Sequence, residues 1–344
     1  MGDSKKYVLD LNDSVVSALS KQIELLLAPY QPTGPIALAC SGGPDSAAMA
    51  MVTASLFHAC QRPLYLFHVH HGMQRQADQW ARQVQDLGQL LSIPVELAHV
   101  KVDLKSGLGP EASARAARYQ AIQSMAINRD VAAVLLAHHA QDQAETVLMR
   151  LLRGSGVAGL AGMQAVSKTD QVSWLRPWLG VSKGDIDAVV KQFGHATGWQ
   201  PVVDPSNVDA QLGRGALRSQ IIPALTQRWP AWVANFSRHA TQAAQANQLL
   251  DEFADNLLTD VGFDGLTHSF DLQAWRKLSE PQQALVLRRW LSLSRVPMPT
   301  TKKLDELMKQ LRGLHALGQD RDMLWQHGQH QVKCQSKRVI LSSR

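Results

Sequence analysis

The chain has 344 residues, 45% of them hydrophobic and 19% charged, enough for two or three packed domains. No apolar run approaches the roughly 20 residues of a membrane span. The start, Met1-Gly2-Asp3-Ser4-Lys5-Lys6, has no apolar segment behind it, so neither a membrane anchor nor a secretory signal is expected. The net charge of +6 is unevenly placed: residues 1–217 carry 18 Lys/Arg against 18 Asp/Glu, and residues 218–344 carry 17 against 11. A neutral first part and a basic second part suggest catalysis in 1–217 and a polyanion partner for 218–344, although a solvated basic surface explains the charge equally well. Cys40, Cys60 and Cys334 form no C-x-x-C pair. That speaks against a disulfide scaffold, a zinc ribbon or a cysteine-bound cluster and fits a reduced cytoplasm.

Five short β-type runs alternate with helical stretches: Pro35–Cys40, Pro63–Val69, Val95–Val102, Val131–His138 and Ser173–Trp178. Helical pattern lies between them near 45–60, 75–92, 110–128 and 142–153. Near-continuous apolar strands separated by helices indicate a parallel five-stranded α/β sheet covered on both faces. Ligands of such sheets bind beyond the carboxyl ends of the strands, so the chemistry is sought there.

The first strand runs into Ser41-Gly42-Gly43-Pro44-Asp45-Ser46. Two glycines let an anion approach the backbone, a proline suits the first helical turn, and the free amides with the helix dipole face negative charge. Ser41 and Ser46 add hydroxyl donors. Asp45 would repel a phosphate unless a cation lies between them, which suggests Mg²⁺. The loop is neither G-x-x-x-x-G-K-[ST] nor G-x-G-x-x-G. After the second strand comes His68-Val69-His70-His71-Gly72-Met73. His68 and His70 share a strand face, but no cysteine or carboxylate completes a zinc site.

Glu111, Arg115 and Arg118 fall at i, i+4 and i+7, with Tyr119 beside them, a polar stripe that reads equally as a salt-bridged surface. After the fourth strand, residues 137–163 read AHHAQDQAETVLMRLLRGSGVAGLAGM. Asp142 and Glu145 are three apart, so a helix brings both carboxylates to one face near its N-terminus, with Thr146 alongside. Such a pair can hold an ammonium group or take a proton from it, or simply be a solvated helix start that the dipole favours. Arg150 and Arg153 follow, and Gly154 can cap the helix. Residues 204–218 read DPSNVDAQLGRGALR. Beyond 218 the pattern becomes helical, over 230–258, 271–293 and 300–316, with Pro223, Trp229 and Pro230 at the junction. Two short strands are expected between Met323 and Ser342. The expected organisation is a catalytic domain over 1–217 and a smaller, mostly helical domain over 218–344.

The loop S-G-G-x-D-S resembles the PP-loop of N-type ATP pyrophosphatases, and residues 137–163 resemble the signature of the tRNA(Ile)-lysidine synthetase family. Glu111–Tyr119 is similar to that family's E-x-x-A-R-x-x-R-Y pattern. Asp204, Ser206, Asn207, Arg214 and Arg218 match its D-x-S-N…R-N-x-x-R segment. Gln141 stands where many members have an aspartate, and Gly215 where asparagine is usual. The stretch RRWLSLSRVPMP, residues 288–299, also resembles the family, whose longer members carry a further C-terminal tRNA-binding domain.

The resemblance implies a Rossmann-like PP-loop fold and a cytoplasmic ligase acting on the wobble cytidine of a CAU-anticodon tRNA(Ile). ATP adenylates the C2 oxygen with loss of pyrophosphate; the ε-amine of free lysine then attacks C2 and AMP leaves. It implies ATP contacts from Ser41, Gly42, Gly43, Pro44, Asp45, Ser46, His68 and Met73, with Asp45 reaching Mg²⁺ through the phosphates. It implies lysine contacts from Asp142, Glu145 and Thr146, and a charge-neutralising role for Arg115, so that Asp45, Arg115, Asp142 and Glu145 are the expected catalytic set. Arg150, Arg153, Arg214, Arg218, Arg288 and Arg289 are expected at the tRNA, and a homodimer is left open. The rivals are a PP-loop tRNA-thiolation enzyme, against which the missing cysteine pair counts, and a non-catalytic RNA-binding relic, against which Asp45, Arg115, Asp142 and Glu145 count.

Overall fold

The computed structural model describes residues 7–30, 34–72, 76–103, 109–169, 171–204, 213–314 and 323–343. Met73, Ser206, Asn207 and the side chain of Glu111 lie outside the described residues. The chain divides into two compact units, 1–242 and 243–344.

In the first unit the elements follow as α1 (Ser14–Leu27), β1 (Ile36–Ala39), α2 (Pro44–Cys60), β2 (Leu64–His70), α3 (Ala77–Leu91), β3 (Val95–His99), α4 (Pro110–Asn128), β4 (Ala133–Leu135), α5 (Ala140–Leu152), α6 (Val157–Leu160), β5 (Val166–Lys168), β6 (Ser173–Leu175), α7 (Lys183–Thr197), α8 (Gly213–Ala216), a π-turn (Leu217–Ile221), α9 (Ile222–Arg228) and α10 (Trp232–Asp260), which runs on into the second unit. All five expected strands are present and parallel, in the order β3-β2-β1-β4-β6. A sixth, β5, pairs antiparallel on the outer edge of β6. Its three residues, one of them apolar, are too few to show a period.

β1 is apolar on both faces because both are covered. Ile36 and Leu38 pack in the core that holds α2 and α7, and Ala37 packs in the opposite core with Trp174 and Ile122. Ala47, Ala48, Met49, Ala50, Met51 and Val52 of α2 are all buried, so this helix is apolar all round and its small side chains let it lie close to its neighbours. The chain leaves β1 toward β2 on one side, while β4 and β6 lie on the other. The strand order therefore reverses between β1 and β4, and a crevice opens beyond their carboxyl ends. The loop 41–46 and the start of α5 both emerge there.

The helix pattern at the end of this unit is broken by Pro223. It has no N–H to return to Ser219, and the backbone widens to a π-turn in which Ile222 N–H donates to Leu217 O.

The second unit contains β7 (Ser269–Asp271), α11 (Leu272–Arg276), α12 (Glu280–Leu293), α13 (Thr301–Gly313), β8 (Leu324–His327), β9 (His330–Gln335) and β10 (Arg338–Ser343). The single helix expected over 271–293 is two helices. Ser279 forms a reciprocal capping box with Gln282 and Pro281 opens α12, so a new helix starts there. The two strands expected in the tail are three, joined by β7 into an antiparallel sheet of order β7-β10-β9-β8. Phe270, Trp275, Trp290 and Trp325 fill its core.

Candidate active site

Gly42 has φ +84°, and a Cβ there would lie 2.8 Å from Val202 Cγ2 and 3.0 Å from Val84 Cγ2. Both the backbone conformation and the space therefore require glycine. Val202 N–H donates to Gly42 O at 2.9 Å and holds the turn from outside. Gly43 is the N-cap of α2 and Pro44 its first residue. The first helical bond is Ala47 N–H to Gly43 O, so the amides of Asp45 and Ser46 precede the ladder and have no carbonyl within the helix. Ser46 Oγ donates to Gly43 O and accepts from Ser41 N–H, at 3.1 and 3.2 Å, and the Ser41 and Ser46 hydroxyls lie 3.2 Å apart. The result is a rigid turn presenting bare amides, hydroxyls and the positive end of a 17-residue helix.

Asp45 is held at that end by two side chains from distant elements, Lys183 and His139. Its Oδ1 accepts from Lys183 Nζ at 2.5 Å and lies 3.6 Å from His139 Nε2. His139 Nε2 is also 3.4 Å from Asp142 Oδ2, so one buried imidazole spans the loop carboxylate and the carboxylate of α5. Its other nitrogen, Nδ1, accepts from Gln141 N–H, which leaves the proton of the neutral ring on Nε2, facing both acids. Burial pushes the Asp45 carboxyl up, but the His139 hydrogen bond and charge, followed by those of Lys183, outweigh it and hold the group at about 2. Burial likewise depresses His139, and Asp45 and Asp142 overcome that and raise it above the ordinary imidazole value. Lys183 also contacts Asp187 at 2.8 Å.

α5 places Asp142 and Glu145 together, and Arg218 of the π-turn joins them. Its Nε donates to both oxygens of Glu145 at 3.0 Å, and its terminal nitrogen lies 2.9 Å from Glu145 Oε2 and 3.3 Å from Asp142 Oδ1. Arg214 donates to Thr146 Oγ1 at 3.0 Å and lies 3.6 Å from Glu145 Oε2. Glu145 is fully buried. Gln141, at the position that departs from the resembled pattern, donates to Glu145 Oε1 at 3.2 Å. Two arginines expected at the tRNA are thus engaged with carboxylates. Arg150 donates to the carbonyls of Gly159 and Gly162 and braces the turn after α5, whereas Arg153 is exposed.

Arg115 is exposed, with its guanidinium on the Tyr119 ring and hydroxyl. His68 is buried, with Nδ1 2.8 Å from Cys40 O. Burial pushes its pKa down, so the ring is neutral, with a proton on Nδ1 donated to that carbonyl. Its Nε2 is left as an acceptor. Among the described residues no group of three His, Cys, Asp or Glu could hold a metal ion alone. Lys183 is the residue the sequence reading passed over, and His139, although it lies in the stretch 138–145 after the fourth strand, was given no role there. The signal for Lys183 was its place just after the fifth parallel strand, where site residues collect.

The open sheet, the glycine turn at its switch point and the acids beyond it define an ATP-binding α/β enzyme. Residues 15–225 match the family model described as the PP-loop domain, and residues 270–340 match the one described as the TilS substrate binding domain. The chain is 46% identical over 331 residues to the tRNA(Ile)-lysidine synthase of Bordetella parapertussis, covering 96% of each. It is 49% identical over 305 residues to that of Bordetella pertussis, covering 88% of this chain and 94% of the relative. The corresponding protein of Ralstonia nicotianae is 37% identical over 285 residues, 60% of its length. Among solved structures, the U34-tRNA thiolase NcsA from Methanococcus maripaludis aligns with a TM-score of 0.54 at 15% identity, covering 66% of this chain and 78% of that one, a likeness of fold alone. The chain belongs to the tRNA(Ile)-lysidine synthase family.

Proposed function

We propose that this protein ligates free lysine to C2 of the wobble cytidine of a CAU-anticodon tRNA(Ile), in two steps within one crevice. It is an ATP-dependent ligase. In the first step the cytidine O2 attacks the α-phosphorus and pyrophosphate leaves. In the second the lysine ε-amine adds to C2, AMP departs and the amine loses a proton.

One observation carries the reading: the bare phosphate-type turn is wired to the acids of α5 through the Asp45–His139–Asp142 contact. The turn supplies amides and hydroxyls for the triphosphate. Asp45, ionised down to about pH 2, suits the single protein carboxylate that Mg²⁺ takes when the remaining ligands are phosphates and water. Bound there, the metal would screen the charge of the departing pyrophosphate. Asp142 and Glu145 supply the negative charge that an incoming ammonium needs. In the resting protein Arg218 stands in that place, so lysine enters by sharing or displacing its contact.

The basic excess of residues 218–344, with the substrate-binding match at 270–340, supports a tRNA-gripping role for that part and a catalytic role for 1–217. A homodimer belongs to the same reading, with sedimentation as its check. Incubation with ATP, Mg²⁺, [¹⁴C]lysine and CAU-anticodon tRNA(Ile) is expected to give labelled tRNA in proportion to the AMP released. AMP release without label in tRNA would overturn the assignment.

A further inference from the structure

The face of the sheet covered by α4 carries a charge that, among the described residues, no carboxylate pairs with. Strand alternation fixes which side chains meet there. Val134 and Leu136 pack in one core with Trp174, so His138 and Arg176, two residues beyond Leu136 and Trp174, extend the same face past the carboxyl ends of β4 and β6. Tyr119 of α4 lies 4.7 Å from the Trp174 ring and carries Arg115 on its own.

Arg176 is 7% exposed. One terminal nitrogen is satisfied by Gln164 O and Ser167 Oγ, both at 3.0 Å. Its Nε is buried with no hydrogen-bond partner. Among the described residues no carboxylate pairs with it and its second terminal nitrogen has no acceptor. His138 Nδ1, buried in the same region, also lacks a partner. Burial pushes the His138 ring down to about 4; Asp142 counters this, while Arg176, Arg115 and Arg214 add to it. Buried charges in folded proteins are paired. The acids of α5, Asp142 and Glu145, already hold Arg218 and Arg214.

We infer that Arg176 is the seat of the amino-acid substrate's α-carboxylate. This rests on the reading above, in which lysine is the nucleophile. Arg176 is buried, so a small zwitterion suits it better than a phosphodiester, which would have to bring two sugars along. The arrangement also suits a zwitterion, with acids on α5 and a guanidinium at the end of β6, both acting on the charge of His138. A carboxylate would complete the fork bidentately, and its loss would leave the guanidinium unpaired.

The test compares lysine with lysinamide and cadaverine, which keep the ε-amine and lack the carboxylate. Losing a charge-assisted pair is expected to raise KM roughly ten- to hundredfold. The wild type should therefore prefer lysine over both by that factor. Arg176→Gln should erase the preference by raising KM for lysine alone, with kcat, single-turnover adenylation and KM for tRNA little changed. Arg176→Lys should restore part of it, and it keeps the test decisive should the glutamine variant not fold. Ser167→Ala removes a brace of the guanidinium without touching its free edge and should retain the preference. An unchanged lysine-to-lysinamide ratio in the Arg176 variants overturns the inference while leaving the ligase reading intact. So does a raised KM for tRNA with lysine unaffected, which would assign the fork to an RNA phosphate. If the wild type fails to incorporate lysine, it is the function that falls.

Discussion

At the scale of single residues, two side chains separate the architecture of the site from its chemistry. Gly42→Ala places a Cβ 2.8 Å from Val202 Cγ2 at φ +84°. The left-handed conformation costs about 1–2 kcal/mol, and the contact forces the turn outward. ATP-dependent pyrophosphate release should fall at least tenfold. Gly198→Ala, at φ +77° with nothing within 4 Å, should cost similar stability and leave ATP kinetics unchanged; equal effects at both positions would mean that Gly42 matters only to folding. Glu145→Gln keeps the shape and removes one charge from beneath Arg218. Asp142 remains at 3.3 Å as a second anion, so the loss should be about 1–3 kcal/mol, below that of a fully orphaned buried charge. KM for lysine should rise and lysine transfer slow, while adenylated tRNA still forms in a single turnover. A parallel fall in both steps would put Glu145 in the ATP site.

At the scale of elements, α2, α5 and α7 meet on Asp45, and the meeting has a pH signature. His139 is raised above its ordinary 6.5, so its contribution to stability is present below that value and is lost as pH rises through the raised pKa. Asp45 is lowered from 3.8 to about 2, so its contribution is present above the ordinary value and is lost only as pH falls through about 2. Melting temperatures of the wild type should therefore decline as pH rises above 6.5, and His139→Gln should flatten that decline. Equal slopes for the two proteins would deny His139 a charge in the folded state. Asp45→Ala, which removes the meeting point, should abolish pyrophosphate release.

These junctions show what the sequence could and could not reveal. The five parallel strands and the loop were legible because each is a local pattern, an apolar run or six consecutive small and polar residues. Asp142 and Glu145 were legible because helical spacing pairs them. Lys183 lies 138 residues from Asp45, and Arg218 lies 73 from Glu145. No period links such positions, and only the sheet's strand order brings them together.

At the scale of the whole molecule, the charge excess is confined to residues 218–344, but not every cation there is available to RNA. Arg289 is forked onto Asp255 with both bonds at 2.7 Å and lies 3.4 Å from Asp251. It ties α12 to α10, and those acids already neutralise it. Its neighbour Arg288 is half-buried and, among the described residues, pairs with no carboxylate. The salt dependence of tRNA binding counts phosphates neutralised, with a slope near 0.9 per contact for duplexes and 0.7 for single strands. Arg288→Gln should lower that slope by roughly one contact and weaken tRNA binding at low salt, with the melting temperature and KM for ATP unchanged. Arg289→Gln should leave the slope nearly intact, since a guanidinium locked to two acids releases few counterions. It should instead lower the melting temperature, because Asp251 and Asp255 lose their shared partner. A slope unchanged in Arg288→Gln would make the excess in this region a solvated surface. An equal loss of slope in both variants would mean that Arg289 leaves its acids for a phosphate when tRNA binds.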